Sequence, residues 1–183
     1  MTGYATSWNC RAAEQLAAKE WLLSTLRTAS RLRLKIPIME QDLKREFEAY
    51  QEEAEQYENA DPEEISREQL TVLLKYRQRK LEEKACTLND YRQYVEQIDL
   101  VLASLPEEER IVLEIYSQPG KPGTIIARAE EMLLCGKSQV YRIRDRALGM
   151  MYDILHEDDP EGPTPISLYN PGQIGDKTGT SEG

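Results

Sequence analysis

The sequence predicts an all-α protein: a long helical hairpin or coiled-coil-like N-terminal region, a C-terminal three-helix module of helix-turn-helix form, and a disordered tail. Two observations carry this. Ala, Leu, Glu, Gln, Lys and Arg dominate the first 155 residues, and no glycine occurs between Gly3 and Gly120, the composition of helices rather than of strands and turns. Apolar residues recur at intervals of three, four and seven, and no segment alternates in the period-two manner of a half-buried strand. The expected divisions are 1–104 for the helical region, which would oligomerise or bind a partner, 105–155 for the module, and 156–183 for the tail.

Within the first division, one helix is predicted over about 11–35, carrying Leu16, Leu22, Leu23, Leu26, Ala29 and Leu32. Pro37 disfavours helical geometry at Ile36 and is expected to break or kink the chain there. A second helix is predicted over 38–58, with Leu43, Phe47, Tyr50, Ala54 and Tyr57 on one stripe and a densely acidic opposite face. Asp61-Pro62-Glu63-Glu64 reads as the next helix start: an Asp cap, Pro at the first helical position, and carboxylates at the positive end of the dipole. No Gly or Pro then interrupts the chain until Pro106, and Leu74, Leu81, Leu88, Val95 and Leu102 recur every seven residues. That spacing describes a long helix packed along another helix. Thr87-Leu88-Asn89-Asp90 offers an alternative cap, and so an alternative break. The stripe fits either the first two helices folding back or the same helix of a second subunit, although Arg77 and Lys84 on the neighbouring row interrupt a dimer seam.

Leu105-Pro106-Glu107-Glu108-Glu109-Arg110 opens another helix, with Pro in its first turn, three carboxylates at its positive end, and Ile111, Val112, Ile115 and Tyr116 as its apolar face. After the loop 117–123, a short helix is expected over 124–133, then the turn Leu134-Cys135-Gly136-Lys137, then a helix over 138–155. Helix, tight turn, helix, preceded by a supporting helix, is the layout of a helix-turn-helix unit. The tail from His156 has five Gly and four Pro in 28 residues and no apolar periodicity, the pattern of disorder.

Composition excludes several activities. Cys10, Cys86 and Cys135 form no C-x-x-C pair, so neither a disulfide framework nor a zinc site is expected. The only histidine, His156, adjoins an acidic run and reads as a solvated tail residue rather than part of a catalytic triad. Gly136-Lys137-Ser138 mimics the end of a phosphate-binding loop, but Glu131 stands where that loop needs glycine and no strand precedes it. The carboxylates of residues 40–64 form a solvated face. No apolar run reaches the length of a membrane span and no secretory signal is evident, so a cytoplasmic, non-enzymatic protein without cofactor, metal or small-molecule substrate is expected.

Charge alternates along the chain. The total is −10, with 33 acidic against 23 basic residues, yet residues 121–152 hold six basic and three acidic groups. A local surplus of that kind can hold phosphates while acidic segments point elsewhere. At 100° per residue the last helix places Val140, Ile143 and Ala147 on one face and Ser138, Arg142 and Asp145 opposite, with Gln139 and Arg146 flanking one side and Tyr141 the other. Arg suits guanine, Gln suits adenine, and an aromatic suits a thymine methyl or a phosphate. Lys137 and the amides of the helix start can hold a phosphate. The candidate DNA-binding residues are therefore Lys137, Ser138, Gln139, Tyr141, Arg142 and Arg146.

The stretch Leu105-Pro106-Glu107-Glu108-Glu109-Arg110-Ile111-Val112-Leu113, followed by Ser138-Gln139-Val140-Tyr141-Arg142-Ile143-Arg144-Asp145-Arg146-Ala147-Leu148, resembles the promoter-reading region four of bacterial sigma factors. Within that likeness it is most similar to phage regulators of the ArpU/RinA type, which join a helical N-terminal part to such a module and act on late phage genes. The likeness covers residues 100–153 and only loosely the helices before them. It implies base reading by Lys137, Ser138, Gln139 and Arg142, and packing roles for Ala147 and Leu148. Glu130 departs from it, standing where such helices carry a small residue at their close crossing, so the second helix is either shifted in register or more loosely crossed. The function implied is sequence-specific transcription regulation on double-stranded DNA, as a homodimer on paired half-sites or with RNA polymerase as a partner. Two alternatives remain: a minimal sigma-like factor, against which the twelve acidic and three basic residues of 37–68 weigh, and a helical phage scaffold, adaptor or terminase-associated protein.

Overall fold

The computed structural model describes residues 5–58 and 67–155, with side chains defined for 15–57 and 70–155. The expected helix start at Asp61-Pro62, His156 and the tail lie outside these. Every regular element of the described residues is a helix, as expected: α1 (Ala5–Glu58), α2 (Arg67–Ser104), α3 (Glu107–Ser117), α4 (Pro122–Leu133) and α5 (Lys137–Leu155). No described helix is long and apolar enough to cross a membrane.

The expected break near Pro37 does not occur. Residues 5–58 form one helix of 54 residues with Pro37 inside it. A proline there deletes one amide donor and crowds the carbonyl of Arg33, but Pro37 is exposed and water can serve that carbonyl. Leu32 is buried before it, and half-buried Ile36 and Leu43 flank it. Apolar packing on both sides of the proline therefore outweighs a local penalty of about 3 kcal/mol. The alternative break at Thr87 is likewise absent, because its hydroxyl bonds back to the Glu83 carbonyl at 2.9 Å within an unbroken α2 of 38 residues.

The chain forms two compact units, and both long helices contribute to each. One comprises Met1–Arg31 and Tyr94–Gly183, the other Leu32–Gln93. The first contains nearly the whole core. Leu22, Leu26 and Ala29 of α1, Ile98, Val101 and Leu102 of α2, and Leu113, Leu148 and Met151 of α3 and α5 are all buried. The Tyr94 hydroxyl donates to the Thr25 carbonyl at 3.3 Å, and Lys19 meets Asp145 at 3.0 Å. The helix-turn-helix core is Val112, Ile115, Tyr116, Ile125, Ala129, Val140 and Ile143, with Leu23 of α1 packed against it. The compact unit around the module thus extends beyond residues 105–155 and takes its extra wall from α1 and the end of α2.

The second unit is a two-helix hairpin. Ion pairs run along it from Arg92–Glu40 at 2.6 Å through Lys84–Glu46 at 2.6 Å to Arg77–Glu53. Their numbering falls on α1 as it rises on α2, which fixes an antiparallel register. Of the described residues in this unit only Leu32 and Leu88 are buried.

Helix boundaries in the module shift slightly from expectation. Pro106 is the N-cap of α3 rather than a first-turn residue, with Glu107, Glu108 and Glu109 in the first turn. α4 begins two residues early, at Pro122, and α5 one residue early, at Lys137. Ala129, one position before Glu130, is fully buried in the module's core. The turn after α4 is closed by Leu134 in the left-handed region (φ 50°), its amide and that of Cys135 returning to the Glu130 carbonyl.

Two substitutions follow. Pro37→Ala should raise the melting temperature by restoring one helical hydrogen bond, a gain of up to about 3 kcal/mol. Leu134→Gly should add about 1 kcal/mol by removing the left-handed penalty on a side chain that is 92% exposed, readable as a shifted urea midpoint with unchanged slope.

Candidate nucleic-acid interface

α5 begins directly after the αL turn and Gly136. The Gly136 carbonyl accepts from the amides of Gln139 (2.8 Å) and Val140 (3.1 Å), so the amides that the helix cannot satisfy internally are those of its first two residues. They add a partial positive charge of about half a unit at that end. Val140, Ile143, Ala147, Leu148, Met151 and Leu155 are buried on one side of α5. This fixes the rotation of the helix. Lys137, Ser138, Gln139 and Arg142 are consequently exposed together on its first two turns.

Arg142 makes no ion pair among the described residues, and no acidic residue occurs from 137 to 144. Tyr141 is half-buried, held between Lys137, whose Nζ lies 5.9 Å from its ring centre, and Arg144, at 5.0 Å. Its ring therefore props Lys137 beside the exposed face more than it projects from it.

Arg144, which the sequence did not single out, ties this region to the core. Its guanidinium also lies 5.5 Å over the Tyr116 ring and donates to Asp145 Oδ1 at 2.6 and 2.9 Å, while Lys19 of α1 bonds the other carboxylate oxygen at 3.0 Å. Burial pushes the Asp145 carboxyl up, but the bonds from Arg144 and Lys19 outweigh it and hold the group below the usual carboxylate value. Burial also raises the Tyr116 phenol, against the opposing pull of Arg144. The charge of the Asp145 carboxylate is thereby offset by two cations at the edge of the exposed face.

Arg146 is placed differently from the other candidates. It pairs with Glu109 of α3, a carboxylate only 5% exposed, and reaches Glu108 at 3.9 Å. Both features were hidden because Glu109 looks like a first-turn dipole residue. Its position three and four residues before Val112 and Leu113 places it on the buried row of α3, and that is the signal that would have found it.

Four cations of residues 121–152 are left without a carboxylate partner among the described residues: Lys121, Arg128, Lys137 and Arg142. Arg128 instead bonds the Gln118 side chain. Lys121 is the N-cap of α4. The remaining unpaired acids of that stretch, Glu130 and Glu131, lie near the end of α4, apart in sequence from the first turns of α5. No family model matches the chain, and neither does any curated protein or solved structure.

The two arginines should separate cleanly in stability. Arg146→Ala strands the buried Glu109 and should lower unfolding free energy by roughly 1–3 kcal/mol, whereas Arg142→Ala should stay within about 0.5 kcal/mol of the parent. Denaturant titration of both variants checks this.

Proposed function

We propose that the protein is a sequence-specific DNA-binding transcription regulator of the cytoplasm, phage or prophage encoded and acting on late genes. The first two turns of α5 enter the major groove. The observation that carries the reading is the co-exposure of Lys137, Ser138, Gln139 and Arg142 at the N-terminus of a helix whose opposite side is locked into a core. Those residues supply a bidentate donor for guanine in Arg142, an amide for adenine in Gln139, and phosphate contacts from Lys137, Ser138 and the free helical amides. Lys121 at the start of α4 adds a further phosphate contact. Arg146 serves chiefly to hold α5 against α3 rather than to read bases.

A reading face with two unpaired cations binds one half-site weakly. Two copies on paired half-sites, or RNA polymerase alongside, supply the rest. The test is titration of the full chain against its own upstream DNA and a scrambled duplex at two salt concentrations. The expected result is a specific complex that weakens steeply with salt, in proportion to the phosphates contacted. Arg142→Ala should cost the specific complex about 1–3 kcal/mol and spare binding to the scrambled duplex. Lys121→Ala should weaken both equally. Binding that is insensitive to salt, or equal for the two duplexes in every variant, overturns the reading.

A further inference from the structure

The hairpin Leu32–Gln93 has two unlike faces. Across one, Lys84–Glu46 and Arg77–Glu53 lace the helices together. On the other the seam is bridged at one end by Arg92–Glu40 and is open beyond it: a groove of about 670 Å³ whose apolar lining includes Leu43, Phe47, Tyr50, Leu81 and Ala85. Phe47 stands in this groove with 48% of its surface exposed and its ring 6.4 Å from Tyr50. A hairpin with two buried residues has too little core to hold two helices of this length in water, since helices of globular proteins draw their stability from an apolar face packed against a neighbour.

We infer that the open groove is the seam of a homodimer, in which two hairpins pack face to face as a four-helix bundle, α1 of each copy lying over α2 of the other. Charge selects the second copy as occupant. Residues 32–58 carry eight acidic and four basic groups, and residues 67–93 carry seven basic and four acidic ones. A two-fold axis along the arms sets each acidic helix against the partner's basic one, whereas an axis across them sets like against like. Shape agrees with charge. Seven residues along each antiparallel helix from the Glu40–Arg92 pair, Phe47 lies about level with Ala85, so the same axis brings the protruding Phe47 of one copy over the gap at Ala85 of the other, and the reverse. Lys44 and Glu82, on opposite rims within one hairpin, fall on the same edge in the pair.

The inference deepens the two-copy reading above and is independent of DNA. It is tested by light scattering of the full chain, without DNA, over a micromolar concentration series, with far-UV circular dichroism confirming that each variant remains helical. The parent should run at twice the 21.1 kDa chain mass. Phe47→Glu and Ala85→Arg, both at exposed positions, should each weaken self-association by roughly 30-fold or more, as loss of a central aromatic anchor does. Phe47→Leu should retain it, and Leu34→Glu, on the side of α1 away from the groove, should leave it unchanged. A monomeric parent overturns both the two-copy reading and the seam. A dimer that survives Phe47→Glu and Ala85→Arg, or that Leu34→Glu also splits, overturns the seam alone.

Discussion

The rotational setting of α5 governs every other property of the module. Six side chains from Val140 to Leu155 are buried along one side of this helix, and each of them but Ala147 contributes on the order of 1.5–3 kcal/mol of apolar burial before entropic losses. A slip of one residue would turn the helix by about 100°. It would bring Arg142 toward the core and expel Ile143, exchanging a favourable burial for a desolvated charge. The fully buried Ala129 and Ala147 matter for the same reason, since neither presents bulk that would hold the helices apart. The exposed set Lys137, Ser138, Gln139 and Arg142 is the complement of that packing, fixed by what the other side must bury.

Much of this was legible in the sequence because α3, α4 and α5 are short amphipathic helices in which burial follows the apolar pattern. The expected division of α5 into Val140, Ile143 and Ala147 against Ser138 and Arg142 matches the burial observed, whereas Asp145, expected on the exposed side with them, is half-buried between Arg144 and Lys19. The heptad stripe of α2 was also readable, though burial along it is graded: Leu88, Val95 and Leu102 are buried while Leu74 and Leu81 are only half so. Spacing reports which residues share a face and is silent about how much protein stands opposite it.

Three features were not legible, each because a long-range term overrode a local one. Pro37 carries a strong local signal for a break, but the packing that keeps α1 continuous comes from residues distant in sequence. Glu109 reads as an N-terminal carboxylate interacting with a helix dipole, and its burial against Arg146 depends on where α5 crosses α3. Lys19 lies 126 positions from Asp145, and no pattern within either helix announces their meeting. For the candidate interface the outcome is an exposed polar face narrower than the sequence suggested, centred on the first two turns of α5.

The passage of α2 from one compact unit to the other gives a single helix two different free-energy environments. Residues 94–104 hold Tyr94, Val95, Ile98, Val101 and Leu102 in the core, whereas residues 70–87 hold no buried side chain. Backbone hydrogen bonds in the first stretch open only when the core does, and those in the second open by fraying from the hairpin tip. One uninterrupted helix thus combines a stretch whose opening is tied to the core with a stretch held mainly by ion pairs across the hairpin, so the second can open locally while the first stays closed.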